Sequence, residues 1–193
     1  MDFDKADVVL KVIEVLERFG IDYLIGGSFA SSFYGIARST NDADLVAVVK
    51  PEQVHSLFEA FEPDFYVAKE AIRRAVQTGK HFNVIHSDTS FKVDIFTPKR
   101  KGFAAQQIDR RQMQPFGSGL SREAYFASPE DTVLAKLDWY RRGKEVSERQ
   151  WLDILTVIKV QRSKLDLEYM RHWAAELRVT DLLEEALAEG QQV

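Results

Sequence analysis

Residues 21–49 read IDYLIGGSFASSFYGIARSTNDADLVAVV. The apolar run at 21–25 predicts a buried strand, and the pair Gly26–Gly27 lets the backbone turn sharply and approach a ligand without a Cβ in the way. Ser28 then lies where it can cap a short helix over 29–34, whose free N–H groups suit a phosphate. The turn is therefore a candidate phosphate-binding site.

Two carboxylates introduce the second apolar run of this stretch, at 45–49. Asp42 and Asp44 are two positions apart, so at the start of a strand their side chains project to the same face. Adjacent carboxylates repel each other unless a cation lies between them, and hard oxygen ligands favour Mg²⁺. The alternative is a polar turn, in which Asn41 and Asp42 are ordinary turn residues.

A third carboxylate lies on a predicted hairpin over residues 81–96. Its second strand alternates apolar and polar residues, and Asp94 falls on the polar face. A third aspartate on a neighbouring strand would complete a two-metal clamp of the kind that nucleoside triphosphate chemistry uses. Alternatively, Asp94 is an exposed strand residue paired with Lys92 or Arg100, and Asp88 in the hairpin turn is a weaker candidate for the third acid.

The motifs together carry a resemblance to a known family. Gly27-Ser28, followed after thirteen residues by Asp42-Ala43-Asp44-Leu45, resembles the signature of the polymerase-β-type nucleotidyltransferase superfamily. The fuller string that continues through Arg38-Ser39-Thr40-Asn41 is similar to the branch of the abortive-infection toxins and their bacterial relatives. The resemblance implies an α/β (α+β) fold, in which a nucleotidyltransferase-like core of a mixed sheet flanked by helices precedes a C-terminal helical region.

The resemblance also implies a reaction, the transfer of an NMP group from an NTP to a hydroxyl acceptor. The catalytic residues and ligands of two Mg²⁺ ions would be Asp42, Asp44 and Asp94. The expected nucleotide-binding residues are Gly26, Gly27, Ser28, Arg38, Thr40 and Lys136. No Gly-Lys-Ser/Thr or Gly-x-Gly-x-x-Gly motif supports a P-loop or a Rossmann site.

Two of these side chains, Arg38 and Lys136, and the further candidate Asp153 have structural alternatives. Arg38 either contacts triphosphate oxygens or forms an ion pair that steadies its loop. Lys136 resembles a lysine that the toxin-like branch uses in nucleotide binding or catalysis, but it could instead be a solvated helix lysine. Asp153 matches a recurring aspartate of the same branch, where it is either functional or holds the C-terminal helices to the core.

The acceptor and the partners are open at this stage. The toxin-like resemblance suggests RNA such as tRNA, and a partner antitoxin, whereas antibiotic-modifying relatives suggest a small aminoglycoside-like molecule. Residues 69–128 hold 11 basic and 5 acidic side chains, which is compatible with a phosphate-bearing partner or with a solvated basic face. The rival to an enzyme is a non-catalytic module of the same fold that binds a nucleotide or a partner protein.

The remaining pattern predicts the domain organisation. A nucleotidyltransferase-like core is expected over 1–127 and a C-terminal helical region packed on it over 128–193, with 97–127 as an irregular linker or active-site rim. The predicted helices and strands span 5–19, 29–34, 51–61, 70–77, 129–142, 147–160, 166–177 and 180–189, and 21–25, 45–49, 65–68, 81–86 and 90–96, respectively. The absence of cysteine excludes disulfides, thiol catalysis and cysteine-based zinc sites. An acidic start without a long apolar segment predicts a cytoplasmic protein with neither signal peptide nor membrane span.

Overall fold

A computed structural model describes residues 5–117 and 122–192, and this part of the chain contains nine α-helices and seven β-strands. The helices are α1 (Lys5–Arg18), α2 (Gly27–Tyr34), α3 (Val54–Phe61), α4 (Lys69–Thr78), α5 (Gly102–Asp109), α6 (Pro129–Arg142), α7 (Glu148–Gln161), α8 (Leu167–Leu177) and α9 (Thr180–Gln192). The strands are β1 (Tyr23–Ile25), β2 (Asp42–Ala47), β3 (Phe65–Tyr66), β4 (His81–His86), β5 (Lys92–Phe96), β6 (Gln112–Phe116) and β7 (Arg122–Phe126).

The strands form one mixed sheet in the order β3-β4-β5-β2-β1-β7-β6. The predicted hairpin is confirmed, because β4 and β5 pair antiparallel. Strand β2 runs parallel to β5 and antiparallel to β1, whereas β1 runs parallel to β7. A parallel neighbour cannot be reached by a tight turn, so the chain makes long crossovers before it returns to the middle of the sheet.

The chain divides into two compact units. The first contains the described residues of Met1–Gly26 and Thr40–Phe126, which is the whole sheet together with α1, α3, α4 and α5. The second contains the described residues of Gly27–Ser39 and Ala127–Val193, and is helical throughout. The expected division into residues 1–127 and 128–193 stays a prediction.

Apolar periodicity explains the core of the first unit. Helix α1 carries apolar residues at helical spacing, and Val8, Val9, Val12, Ile13 and Leu16 of this pattern are buried, as are Leu10 and Val15 beside them. Strands β2 and β5 bury every second residue, as strands with one face in a core do. Their polar faces are therefore available for other roles.

The second unit begins with a short helix whose partners come much later in the sequence. Helix α2 packs on α6 and α7, and at Gly35 the chain approaches α7 so closely that an added Cβ would lie 2.8 Å from Thr156 Oγ1. The predicted start of α6 is confirmed, because Ser128 Oγ accepts a hydrogen bond from the Asp131 N–H and Pro129 occupies the first helical position.

The expectation of irregular structure over 97–127 was wrong. This stretch contains α5 and the β6–β7 hairpin, although residues 118–121 lie outside the described part of the chain. Glycine and proline suggested a linker, but β6 is at the edge of the sheet, where Pro115 can be accommodated without a backbone N–H. Smaller differences are a 3₁₀ turn at Pro51–Gln53 and the start of β2, which comes three residues earlier than predicted because Asp42 already pairs with Lys92.

No helix within the described residues is both long enough and apolar enough to cross a membrane.

Candidate functional site

The three candidate acids lie on adjacent strands of the first unit. Asp44 is directly opposite Asp94 in the parallel ladder of β2 and β5, and Asp42 is opposite Lys92. The intervening residues of both strands are buried on the other face of the sheet. Because side chains alternate along a strand, the structure brings all three carboxylates to one face. Asp88 is exposed in the hairpin turn and does not share their ladder.

A lysine lies among these carboxylates. Lys92 Nζ donates to Asp94 Oδ2 at 2.6 Å and lies 3.7 Å from Asp42 Oδ2. The hydrogen bond to Asp94, together with the charges of Asp94, Asp42 and Asp44, raises the pKa of Lys92. The side chain is an ammonium ion at neutral pH. Of the two suggested partners of Asp94, the structure selects Lys92, since Arg100 pairs with Asp22 and Asp109.

One carboxylate oxygen of this group is unsatisfied. Asp94 Oδ1 is buried and has no hydrogen-bond partner among the described residues, although its side chain is 13% exposed. Leaving a buried acceptor unpaired costs about 1–3 kcal/mol, so such atoms commonly mark a site for a ligand or an ion. Three hard carboxylate donors on one face suit Mg²⁺. Within residues 5–117 and 122–192, no three acidic or histidine side chains are already arranged as metal ligands.

Two further predicted residues support the start and middle of β2. The Thr40 hydroxyl donates to the Asp42 carbonyl at 3.0 Å, and the Lys5 ammonium donates to the Thr40 carbonyl at 2.6 Å. The Gly26 N–H donates to the Asp44 carbonyl at 2.9 Å. These bonds fix the backbone from which the carboxylates project.

In the second unit, the other predicted side chains form a charged network around Asp153. Arg38 donates from Nε to Asp153 Oδ1 at 2.8 Å and from Nη2 to Asp153 Oδ2 at 2.7 Å, while Nη2 also donates to Ser28 Oγ at 2.8 Å. Lys136 Nζ donates to Asp153 Oδ2 at 2.8 Å. One carboxylate therefore holds two cations and, through Arg38, the hydroxyl of Ser28.

Burial and charge compete at Asp153. Burial alone would raise the pKa of Asp153, but the hydrogen bonds and charges of Arg38 and Lys136 outweigh it, and the pKa lies below its ordinary value. Lys136 is itself buried, so the solvated-lysine alternative was wrong. The ion-pair alternative for Arg38 describes its observed geometry.

The expected capping role of Ser28 was wrong. Helix α2 already begins at Gly27, so Ser28 lies within its first turn, and its oxygen accepts from Arg38. Gly27 has φ of 52°, in the left-handed region that favours glycine. Because a hydroxyl that accepts through its oxygen keeps its proton for donation, Ser28 can still offer a hydrogen bond to an anion.

Comparison with solved structures identifies the fold. An antigenic nucleotidyltransferase-like protein from Paracoccidioides brasiliensis is 20% identical, with 96% of this chain and 93% of that chain covered and a TM-score of 0.56. ANT(2")-Ia in complex with adenylyl-2"-tobramycin is 13% identical, with coverage of 90% and 97% and a TM-score of 0.59. The lincomycin-bound lincosamide antibiotic adenylyltransferase LnuA is 11% identical, with coverage of 79% and 95% and a TM-score of 0.50. The chain has the nucleotidyltransferase fold.

The predicted nucleotidyltransferase fold, a mixed sheet flanked by helices, is thereby confirmed. No protein-family model matches the sequence, and no curated protein matches it significantly. Sequence reasoning did not identify Lys92 as a residue of the candidate site. It considered Lys92 only as an ion-pair partner in the alternative in which Asp94 has no catalytic role. The signal was its position two residues before Asp94 on an alternating strand, which places both side chains on one face.

Proposed function

We propose that the protein is a Mg²⁺-dependent nucleotidyltransferase that moves an NMP group from an NTP to a hydroxyl acceptor. The observation that carries this proposal is the direct pairing of Asp44 with Asp94 in the β2–β5 ladder, with Asp42 on the same face. Three carboxylates on one sheet face repel one another, and Lys92 supplies one positive charge among three negative ones, so a bound divalent cation would relieve the remaining repulsion. The unsatisfied Asp94 Oδ1 supports the same conclusion.

The carboxylates of Asp42, Asp44 and Asp94 would hold the metal. When bound, Mg²⁺ neutralises triphosphate charge and lowers the pKa of a coordinated hydroxyl. Asp94 has a further role, since its free Oδ1 can take the proton of the acceptor hydroxyl. Thr40 and Gly26, which bond the backbone of β2, keep Asp42 and Asp44 in position.

Within the second unit, Gly27, Ser28, Arg38 and Lys136 are the candidate phosphate-binding residues. Ser28 donates its free hydroxyl proton to a phosphate oxygen, and Gly27 allows the backbone to approach. Arg38 and Lys136 supply two positive charges, whose position is fixed by Asp153. Arg38 thus retains its ion pair and also acts on the nucleotide through Ser28.

The reaction is an in-line displacement at the α-phosphorus. The acceptor oxygen forms a bond to the α-phosphorus while the bond from that phosphorus to the bridging oxygen breaks. Pyrophosphate leaves with the bonding electron pair, and the acceptor proton passes to Asp94. The products are the nucleotidylated acceptor and pyrophosphate.

We propose a small hydroxylated molecule as the acceptor. Support comes from two proteins of similar fold, whose structures contain adenylyl-2"-tobramycin and lincomycin. RNA is the competing acceptor class that the sequence suggested, and the antitoxin partner stays a prediction. A test for label transfer therefore needs both acceptor classes.

The first experiment incubates the protein with each α-labelled NTP, Mg²⁺ and either total RNA or a pool of aminoglycosides and lincosamides. We expect label in one pool. In Asp44→Asn the rate of label transfer should fall by more than about 100-fold, because losing a direct metal ligand costs more activity than losing a residue that only supports one. Asp88→Asn is the matched control, since Asp88 is an exposed acid of the neighbouring hairpin turn.

Circular dichroism and thermal melting establish that each variant is folded. Label that persists in Asp44→Asn would exclude the proposed site. NTP binding with Mg²⁺ by folded wild-type protein, without label transfer to either pool, would favour the non-catalytic binding module.

A further inference from the structure

Lys92 occupies a defined place among the acidic side chains. It begins β5 directly opposite Asp42 and is two residues before Asp94, so its side chain shares the face of the three carboxylates. Its own side chain is 39% exposed, compared with 45% for Asp42 and 13% for Asp94. The Lys92 side chain is therefore partly exposed, like that of Asp42, whereas Asp94 is more deeply buried.

The ammonium group of Lys92 contacts two of the three carboxylates. Its Nζ is 2.6 Å from Asp94 Oδ2 and 3.7 Å from Asp42 Oδ2, so it bridges the two strands. One positive charge offsets part of the repulsion among three negative charges. Asp94 is bound on one oxygen only, and its other oxygen is buried and unpartnered.

We propose that Lys92 is an internal counter-ion, which neutralises Asp42 and Asp94 in the metal-free protein and must be displaced from them when a divalent cation binds. The inference rests on the proposed metal site. Because the ammonium and the metal compete for the same oxygens, the free protein binds a divalent cation weakly. Asp42, Asp44 and Asp94 would therefore hold the cation more readily when a triphosphate adds its own oxygen ligands.

Lys92 also affects the stability of the metal-free protein. Without the ammonium, Asp42 and Asp94 would lose the positive charge that Lys92 places between them. Lys92 therefore stabilises the sheet when no nucleotide is present. Removal of its charge should weaken the metal-free fold and strengthen metal binding, two effects of opposite sign.

The test titrates Mn²⁺ alone, without nucleotide, into wild type, Lys92→Met and Lys92→Arg, with free Mn²⁺ measured by electron paramagnetic resonance. We expect Lys92→Met to bind Mn²⁺ roughly tenfold more tightly or better, because one repelling charge is lost, and Lys92→Arg to bind like wild type. Lys80→Met is the matched control, since Lys80 is an exposed lysine just before β4 and its loss removes the same charge elsewhere.

Thermal melting provides the second readout. Metal-free Lys92→Met should melt below wild type and gain more from added Mn²⁺, because a ligand that binds only the folded state raises its stability by an amount that grows with the logarithm of ligand concentration divided by Kd. Lys92→Gln repeats both measurements with a neutral hydrogen-bond donor, in case the methionine variant does not fold.

The outcomes separate this inference from the proposed function. Equal or weaker Mn²⁺ binding in Lys92→Met and Lys92→Gln, with binding lost in Asp44→Asn, would overturn the counter-ion while leaving the metal site intact. If wild type and all folded Lys92 variants fail to bind Mn²⁺, both the counter-ion and the proposed metal site are wrong.

Discussion

Asp153 is the residue on which three functional candidates of the second unit depend. It accepts hydrogen bonds from Arg38 and Lys136, and Arg38 in turn holds Ser28. A buried carboxylate with two cationic partners remains ionised because their attraction exceeds the cost of burial. Asp153 is therefore a positioning residue for the proposed phosphate-binding groups.

Asp153→Asn should destabilise the protein by about 2–3 kcal/mol, because it removes the negative charge to which both Arg38 and the buried Lys136 donate. Urea unfolding measures the change in the free energy of unfolding. Asp181→Asn is the control, since Asp181 also pairs with an arginine but is exposed, and its loss should change stability much less. Equal effects of the two substitutions would show that burial of the network contributes nothing.

The stabilising effect of Asp153 should also depend on pH. Its pKa is lower in the folded than in the unfolded chain, so the unfolded chain takes up the proton first as the pH falls. The contribution is complete above the ordinary aspartate pKa of about 3.9 and is lost as the pH falls through the lower folded value. Urea titrations of wild type and Asp153→Asn should converge below about pH 4, and a difference that grows on acidification would contradict this.

At the scale of elements, periodicity predicted most of the helices and strands, since α1 and β5 show clear apolar patterns that burial then explains. The β6–β7 hairpin could not be predicted, because Pro115 is tolerated only at an edge position and the strand order is not visible in sequence. The carboxylate face was predictable from Asp-x-Asp spacing. The network around Asp153 was not, because it joins residues 115 positions apart.

The two glycines at the start of α2, Gly26 just before it and Gly27 at its first position, should differ in their tolerance of a side chain. Gly27 has positive φ, so Gly27→Ala should cost about 1–2 kcal/mol of stability. An added Cβ at Gly26 would meet its nearest neighbours at 3.8 and 3.9 Å, which is ordinary contact, so Gly26→Ala should be nearly neutral. Urea unfolding of both variants checks the contrast, and similar losses at the two positions would refute it.

At the scale of the molecule, part of the positive charge in the basic segment 69–128 is neutralised by ion pairs. Within the first unit, arginines of this segment pair with carboxylates from the N-terminal segment: Arg100 and Arg111 with Asp22, and Arg122 with Glu14 and Glu17. The whole chain carries a net charge of −4. Long-range attraction of a polyanion is therefore weak.

We expect only weak binding of RNA, with a dissociation constant above about 10 μM at physiological salt, which lies in the non-specific range. Fluorescence anisotropy with labelled tRNA and a labelled single-stranded RNA measures the dissociation constant in 150 mM salt, where the Debye length is about 8 Å. Submicromolar binding that survives this salt would contradict the small-molecule acceptor and favour the RNA acceptor.

The division of the chain has a consequence for its synthesis on the ribosome. Helix α2 is made early, but the helices on which it packs, α6 and α7, emerge only after the entire sheet has been translated. During that interval the buried side chains of α2, among them Ala30 and Tyr34, are without the two later helices on which α2 packs. Until α6 and α7 are made, the nascent chain carries α2 without these packing partners, and a chain terminated before residue 129 lacks them permanently.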